Sequence, residues 1–175
     1  AILVDLLKEK GENPHLVAGH SLGEYVALYS AEVFGFEDGL RLVKCRSELM
    51  DGAVEGKMVA LMKFDRDRLQ AVIENTPDVA FANANSEPQV VISGTHQAVD
   101  TVLSQVKTKR AVPLKVSEAF HSPLMAKAEQ KFKEFLDTIS FKNAQVPVLS
   151  NVEPIPATDA TELKARLAKQ MTGSV

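Results

Sequence analysis

The order of apolar segments in this chain predicts an α/β protein whose body is interrupted by a small inserted lobe. Short apolar runs at residues 16–18 and 146–152 suit buried parallel strands, and each is followed by a helical pattern. Within the region between them, residues 57–116 carry four strand patterns and two helix patterns in the order βαββαβ. That order is the split ferredoxin-like unit, so we assign residues 1–55 and 117–175 to the body and residues 56–116 to the lobe.

Start and stop signals define the elements of the body. Apolar residues at helical spacing predict a first helix that begins at Ile2 and ends at Gly11, since glycine is a common helix terminator. Ser122 followed by Pro123 predicts another helix start, because serine caps helices and proline favours the first helical position. The body is predicted to contain a helix over 2–11, a strand over 16–18, helices over 22–34, 37–53 and 123–139, a strand over 146–152 and a helix over 158–171.

The lobe has equally clear boundaries. Asp65 and Thr95 each precede a helical pattern, and both are residue types that cap helix N-termini. A turn-rich stretch at 85–88 joins two short strand patterns. The lobe is predicted to contain strands over 58–64, 79–83, 89–93 and 110–116 and helices over 66–75 and 96–106.

Composition excludes several classes of protein. The chain has 175 residues, of which 45% are apolar and 25% are charged, the usual balance of a globular domain. No apolar run approaches the roughly twenty residues of a membrane span, so we expect no membrane partner. Lys and Arg number 20 against 23 Asp and Glu, a net charge of -3, and without a basic field we expect no nucleic-acid partner.

The single cysteine, Cys45, excludes an internal disulfide and a zinc site built on cysteines. It fits a reducing compartment, and we expect a cytoplasmic protein. The chain opens on Ala1 without an initiator Met or a basic signal-peptide region, and it stops at Val175 soon after a predicted helix. We therefore expect a fragment of a longer protein.

The strongest local signal is Gly19-His20-Ser21-Leu22-Gly23, the serine turn, which fits the G-x-S-x-G pattern of a nucleophile. It lies between a predicted strand and a predicted helix, where such a turn exposes the serine hydroxyl. The amide of Leu22, first in the helix, would face the oxyanion formed when Ser21 attacks a carbonyl. Ser21 is therefore the candidate nucleophile, and the alternative is a serine that only caps the helix.

Arg46 is predicted to point into an apolar surface. Its neighbours three and four positions away on the predicted helix are all apolar, namely Leu42, Val43, Leu49 and Met50. Arg41 on the same helix has polar neighbours and is predicted to be solvated. A guanidinium keeps its charge and needs a partner when buried, so Arg46 requires a carboxylate from the protein or from a ligand. The alternative is an arginine whose stem lies along the helix edge while its head reaches water.

His121 immediately precedes the predicted helix start at Ser122. The positive end of the helix dipole disfavours an imidazolium, which leaves a neutral ring that can act as a general base. The alternative is an ordinary loop histidine, which is what we expect His15 and His96 to be.

These residues lie in four blocks that together closely resemble the malonyl-CoA:acyl-carrier-protein transacylases, the acyltransferases of fatty-acid and polyketide synthesis. The blocks are Gly19-His20-Ser21-Leu22-Gly23-Glu24-Tyr25, Arg41-Leu42-Val43-Lys44-Cys45-Arg46, Asn85-Ser86-Glu87-Pro88-Gln89-Val90-Val91-Ile92-Ser93-Gly94 and Ala119-Phe120-His121-Ser122-Pro123-Leu124-Met125. The resemblance runs through nearly the whole chain. It implies an α/β-hydrolase-like body with a parallel sheet and an inserted ferredoxin-like subdomain.

The resemblance also implies a role for each candidate residue. Ser21 would be the acylated nucleophile, His121 the base, and Arg46 the clamp on the free carboxylate of the malonyl group. Phe120 would crowd out an α-methyl branch, so methylmalonyl should fit poorly. Gln170 matches the family's glutamine whose backbone carbonyl orients the histidine.

The implied substrates are malonyl-CoA and the phosphopantetheine thiol of acyl carrier protein, which would receive the malonyl group from an ester on Ser21. We expect no metal and no bound cofactor, because the serine, the base and the amide of Leu22 suffice, and we expect a monomer. The family's N-terminal Gly-Gln-Gly segment, which completes the oxyanion hole, is absent from the sequence, as is the glycine-rich stretch after the last helix.

Two other functions stay open on the sequence. A serine hydrolase or thioesterase would share the serine turn but needs an acid that orients the histidine, and Asp100 and Glu118 do not follow strands of the body. A noncatalytic fragment that binds carrier protein is the other alternative, and the missing Gly-Gln-Gly segment supports it.

Overall fold

The computed structural model describes all 175 residues, and it is a mixed α/β structure. The chain divides into two compact units, one of residues 1–48 and 131–170 and the other of residues 49–130 and 171–175. In chain order the elements are α1 (Ile2–Glu9), β1 (Val17–Ala18), α2 (Leu22–Ser30), α3 (Phe36–Asp51), β2 (Lys57–Phe64), α4 (Arg66–Glu74), β3 (Val79–Ser86), β4 (Gln89–Gly94), α5 (His96–Gln105), β5 (Thr108–Pro113), a 3-10 turn (Pro123–Met125), α6 (Ala126–Leu136), β6 (Val148–Leu149) and α7 (Ala160–Lys169).

The first unit contains the predicted parallel sheet, which consists of β1 and β6. Val17 is opposite Val148, and Ala18 is opposite Leu149. The prediction of a strand over 146–152 was too long at both ends, because β6 consists of the two residues that pair with β1. The sheet positions the serine turn, since Gly19 to Ser21 follow directly on β1 and lead into α2.

Helix α2 is shorter than the predicted 22–34, and its C-terminus explains the error. Glu32 adopts a left-handed conformation with φ 63°, and the amide of Val33 donates to the carbonyl of Leu28 at 3.0 Å. The amide of Glu32 donates to the carbonyl of Tyr29 at 3.0 Å, which completes a Schellman motif. Glycine or asparagine usually occupies the left-handed position, and a glutamate there gave the sequence no stop signal.

The second unit contains a four-stranded antiparallel sheet in the order β3-β4-β2-β5. Its elements follow one another as βαββαβ, as predicted, and both predicted caps are present. Asp65 accepts a hydrogen bond from the amide of Arg68 at 2.9 Å, and Thr95 accepts one from the amide of Ala98 at 3.2 Å. The last strand spans Thr108–Pro113 rather than 110–116, and its final bond to β2 is donated by the amide of Leu114 to the carbonyl of Met58 at 2.9 Å.

One face of this sheet packs against α4 and α5 through the main apolar cluster of the second unit. The cluster consists of Val59, Leu61, Leu69, Val72, Ile73, Val79, Val90, Ile92, Ala98, Val99, Val102 and Val106. The two central strands are buried at successive positions, Met58 to Leu61 in β2 and Val90 to Gly94 in β4, so both faces of the sheet are shielded from solvent there.

The predicted helix over 123–139 is divided into a 3-10 turn and α6. Ser122 caps the turn as predicted, because its hydroxyl accepts a hydrogen bond from the amide of Leu124 at 3.3 Å. None of the helices combines the length and the apolar character that a membrane crossing requires.

Candidate active site

Ser21 occupies a strained turn between β1 and α2. Its backbone has φ 49° and ψ -108°, a conformation that residues other than glycine rarely adopt. Ser21 stands at the N-cap position of α2, but its hydroxyl makes no capping hydrogen bond to the helix. The side chain of Ser21 therefore does not cap α2, and its hydroxyl instead accepts a hydrogen bond from Arg46.

Gly19 permits the close approach that this turn requires. A Cβ atom at residue 19 would lie 2.1 Å from the carbonyl carbon and oxygen of Gly23 and 2.6 Å from the amide nitrogen of Glu24. A Cβ atom at Gly23 would meet nothing within 4 Å. Of the two glycines in the motif, only Gly19 stands where a side chain would clash with the surrounding backbone.

We expect Gly19→Ala to lower the free energy of unfolding by about 3 kcal/mol or more, because the clash is with backbone that cannot move aside. Gly23→Ala is the matched control and should change that free energy by less than about 1 kcal/mol. Urea unfolding of the two variants measures both values. Equal losses in the two variants would contradict the assignment of Gly19 as the contact point.

Asn151 holds both ends of the serine turn. Its Nδ2 donates to the carbonyl oxygen of Gly19 at 2.7 Å, and its Oδ1 accepts from the amide of Ser21 at 2.7 Å. Asn151 lies just beyond β6, the parallel neighbour of β1. The side-chain amide thus continues the pairing of the two strands after their backbones separate.

Glu24 and Gln170 form a buried polar pair beneath the turn, and both side chains are fully buried. Gln170 Nε2 donates to Glu24 Oε2 at 2.6 Å and to the carbonyl oxygen of Ser21 at 3.1 Å. The backbone amide of Asn151 also donates to Glu24 Oε2, at 3.3 Å. Three chain segments therefore meet at the carboxylate of Glu24.

Burial raises the pKa of the Glu24 carboxyl above its usual value of 4.5. Hydrogen bonds from Gln170 and Asn151 and the positive charge of Arg166 act in the opposite direction without cancelling it. The folded protein therefore holds this proton more tightly than the unfolded chain does. The contribution of Glu24 to stability is greatest below pH 4.5 and is lost as the pH rises through the folded pKa.

We expect the thermal stability of Glu24→Gln, measured relative to the wild type, to increase as the pH rises from about 4 to 8. The neutral amide has no charge to desolvate, whereas ionisation of the buried wild-type carboxyl as the pH rises carries a desolvation cost. Thermal unfolding of both proteins across the range tests this expectation. A difference in unfolding temperature that is constant or decreases with pH would contradict it, because a fixed packing change affects all pH values equally.

Arg46 lies on α3 and points inward, as its apolar neighbours predicted. Its Nη2 donates to the Ser21 hydroxyl oxygen at 2.8 Å, and its guanidinium carbon is 5.7 Å from the ring centroid of Tyr25. The residue is 8% exposed, its Nε has no hydrogen-bond partner, and none of the ion pairs in the structure includes it. Arg41 is exposed and pairs with Asp38 at 3.0 Å, so the predicted contrast between the two arginines is confirmed.

Leu22 is the first residue of α2 and is 49% exposed. Its side chain lines an open apolar cavity of the first unit together with Tyr25, Val26, Phe36 and Val43. The helix N-terminus that follows Ser21 brings backbone amides and a positive dipole end to the side of the hydroxyl.

His121 belongs to the second unit, where the loop before the 3-10 turn fixes its backbone. The residue is buried and has φ 53°, another left-handed residue that is not glycine. The hydroxyl of the next residue, Ser122, donates to the carbonyl oxygen of Ala119 at 2.7 Å. Gly56 donates its amide to the carbonyl of Ser117 at 2.8 Å and lies against Ala119. The loop is therefore held at both ends, in a conformation more defined than that of an ordinary surface loop.

Phe120 is half-buried in the same loop. Its ring packs, with Val112, against a small apolar cluster on the other face of the antiparallel sheet, formed by Met58, Ala60, Ala82 and Val91. The side chain thus has a packing partner in addition to the selective role that the resemblance implies.

The sequence analysis missed Asn151 and Glu24. Glu24 stands three residues after Ser21, the spacing of a capping box, and that signal indicates a solvent-exposed glutamate rather than a buried one. Asn151 follows an apolar strand pattern, and nothing local shows which backbone groups its amide contacts. No group of three or more His, Cys, Asp or Glu side chains that could hold a metal ion is present.

Fold and site together define an α/β protein with a strained serine turn of the kind that exposes a nucleophile. The family model described as the acyl transferase domain matches residues 2–174, and the chain belongs to that family. It is 56% identical over 175 residues to the malonyl CoA-acyl carrier protein transacylase of Synechocystis sp. and 40% identical over 183 residues to that of Bacillus subtilis.

Solved structures give the same family. The crystal structure of Synechocystis sp. PCC 6803 malonyl-CoA:ACP transacylase has a TM-score of 0.95 and covers 99% of this chain and 59% of its own. An acyl carrier protein S-malonyltransferase from Vibrio cholerae, 33% identical, has a TM-score of 0.93 and covers 99% of this chain and 60% of its own. The match to the Synechocystis sp. relative includes 100% of this chain and 60% of the relative, and the match to the B. subtilis relative includes 99% of this chain and 58% of the relative. The chain therefore spans about 60% of the length of these relatives.

Proposed function

We propose that this chain carries the catalytic centre of a malonyl-CoA:acyl-carrier-protein transacylase of fatty-acid or polyketide synthesis. The observation that carries the proposal is the buried guanidinium of Arg46, 2.8 Å from the Ser21 hydroxyl and without an ion-pair partner. The names of the two curated relatives support the substrate class. A solved structure described as a type II PKS acyl-carrier protein in complex with its malonyl-transacylase, 35% identical, supports carrier protein as the acceptor.

Arg46 gives the proposal its substrate specificity. A buried guanidinium that lacks a carboxylate is costly, and a bidentate contact with a ligand carboxylate removes that cost. Malonyl-CoA carries such a carboxylate beyond the thioester, whereas acetyl-CoA does not. The apolar surface around Tyr25 lowers the local dielectric constant and strengthens the pairing.

The proposed reaction has two steps. His121 takes the proton of Ser21, whose oxygen attacks the malonyl-CoA thioester carbon, and CoA leaves with that proton as a thiol. The phosphopantetheine thiol of carrier protein then gives its proton to His121 and attacks the ester, and the proton returns to the Ser21 oxygen. The amide of Leu22 would stabilise the oxyanion in both steps. The proposal needs no metal and no bound cofactor.

Two further roles belong to the proposal. Phe120, adjacent to His121, would limit the space for an α-methyl branch, and its packing against the sheet cluster supports a fixed ring position. Gln170 would orient the histidine through its backbone carbonyl. Its side chain bonds to the carbonyl of Ser21 and to Glu24, and these contacts support the proposed role of Gln170.

We extend the proposal to the domain organisation. Residues 1–55 and 117–175 would form an α/β-hydrolase-like body, and residues 56–116 a ferredoxin-like subdomain. The sheet order β3-β4-β2-β5 and the βαββαβ element order support the second assignment. The strand, serine and helix at β1–α2 support the first. A cytoplasmic location and a monomeric state stay predictions.

The decisive experiment is incubation of the protein with malonyl-CoA, followed by intact-mass and peptide-mass analysis. The proposal requires a malonyl ester on Ser21 that phosphopantetheinylated carrier protein discharges. Continuous release of CoA without carrier protein would indicate a hydrolase instead. The absence of both adduct and CoA release would indicate a noncatalytic chain.

A further inference from the structure

The contacts of Asn151 with the serine turn take no part in the proposed reaction, but they support the backbone of the turn. The only residue between its two contacts is His20, because one bond goes to the carbonyl of Gly19 and the other to the amide of Ser21. A side-chain amide offers a donor and an acceptor in a single plane and carries no charge. It therefore pairs two backbone groups that no strand reaches.

The strained conformation of Ser21 needs such support. A residue with φ 49° and ψ -108° relaxes to a common conformation unless its surroundings prevent it. The Ser21 amide is held by Asn151 at 2.7 Å, and the Ser21 carbonyl is held by Gln170 at 3.1 Å. Both peptide groups of the nucleophile are thus fixed by side chains from distant parts of the sequence.

Glu24 connects the two side chains. It accepts from the backbone amide of Asn151 at 3.3 Å and from Gln170 Nε2 at 2.6 Å. Because Glu24 stands one turn after Ser21 on α2, the helix, the loop after β6 and the end of α7 form one polar cluster. A shift in Asn151 therefore moves the backbone that carries the Ser21 hydroxyl.

We propose that Asn151 is a positioning residue for the nucleophile, in that its side-chain amide holds the backbone of Ser21 in the reactive conformation. The inference rests on the proposed role of Ser21 as a nucleophile. A displacement of the reacting oxygen by a fraction of an ångström lowers the reaction rate, while groups that bind the substrate elsewhere are unaffected. The loss should therefore appear in kcat and in the intrinsic reactivity of Ser21 rather than in KM.

The test measures the rate at which a small fluorophosphonate modifies Ser21, together with kcat and KM for malonyl-CoA. We expect Asn151→Ala to lower the modification rate and kcat by about tenfold or more, with a change in KM below about threefold. Asn151→Asp keeps the acceptor for the Ser21 amide but turns a carboxylate oxygen toward the Gly19 carbonyl. It should also lower the modification rate, with little change in side-chain volume.

Asn143→Ala is the matched control. The Asn143 side chain also bonds to backbone in the first unit, as its Oδ1 accepts from the amide of Ala160 at 3.0 Å, but it does not contact the serine turn. It should leave the modification rate unchanged even if the unfolding temperature decreases. Where Asn151→Ala does not fold, Asn151→Asp decides.

The inference is overturned if a folded Asn151 variant reacts at a rate within about twofold of the wild type, if its loss is entirely in KM, or if neither variant folds. It is also overturned if the fluorophosphonate does not modify Ser21 in the wild-type protein. The proposed function fails separately, when malonyl-CoA leaves no ester on a Ser21 that the fluorophosphonate still modifies.

Discussion

Replacing Ser21 or His121 by alanine is expected to lower malonyl transfer by about four orders of magnitude or more, with the double variant no slower than either single variant. In the proposed mechanism the two side chains act on one proton and one bond, so the second substitution removes nothing that the first has left. What remains in all three variants is the contribution of substrate binding and of the oxyanion contacts. Single-turnover transfer from malonyl-CoA to carrier protein measures the three rates.

His96→Ala serves as the control for the loss of a histidine. His96 begins α5 in the second unit, its side chain is 61% exposed, and it faces Glu55 at 3.9 Å. Its removal should change the transfer rate by less than about twofold. Independent, additive losses in the Ser21 and His121 variants would show that the two residues do not act on the same step. That result would remove His121 from the role of general base.

Local chemistry explains which parts of the site could be predicted from the sequence. The serine turn requires a glycine at residue 19, a serine and a following helix within five residues, so the pattern itself carries the geometry. The inward direction of Arg46 follows from helical spacing, which fixes the face of α3 on which each side chain lies. Caps at Asp65, Thr95 and Ser122 are equally local, and all three were predicted.

Contacts across the sequence explain what could not be predicted. Asn151 is 130 residues from Ser21, and Gln170 is 149 residues from it. No local periodicity shows that an amide side chain after one short strand will pair with the backbone after another. Glu24 was missed for a related reason, because its local pattern is that of a capping residue, whereas its partner Gln170 is distant in the sequence.

The boundaries of β6 and α2 show the same difference between what local sequence determines and what distant contacts determine. A run of apolar residues predicts that a strand exists, but its length depends on the partner strand, and β1 offers two residues for pairing. The end of α2 depends on a glutamate in the left-handed region, which sequence propensity disfavours and tertiary packing permits. Element type is thus a local property here, whereas element length is set by the neighbours.

Arg46→Ala is expected to raise the activation free energy of malonyl transfer by about 2–5 kcal/mol, which corresponds to a rate that is roughly 30-fold to several-thousand-fold lower. Transfer of an acetyl group should fall by less than about tenfold, because acetyl-CoA brings no carboxylate for the guanidinium to hold. The measurement is kcat/KM for malonyl-CoA and acetyl-CoA with the same variant, since the ratio of the two values cancels any general loss of folded protein.

Two variants on the same helix sharpen this test. Arg41→Ala removes an exposed arginine that pairs with Asp38, and it should leave both values of kcat/KM within about twofold of the wild type. Arg46→Lys keeps the charge but loses the planar fork, so we expect an intermediate preference for malonyl over acetyl. If Arg46→Ala lowers both transfers equally, the guanidinium acts on Ser21 through its 2.8 Å hydrogen bond, and the substrate carboxylate must be bound by another group.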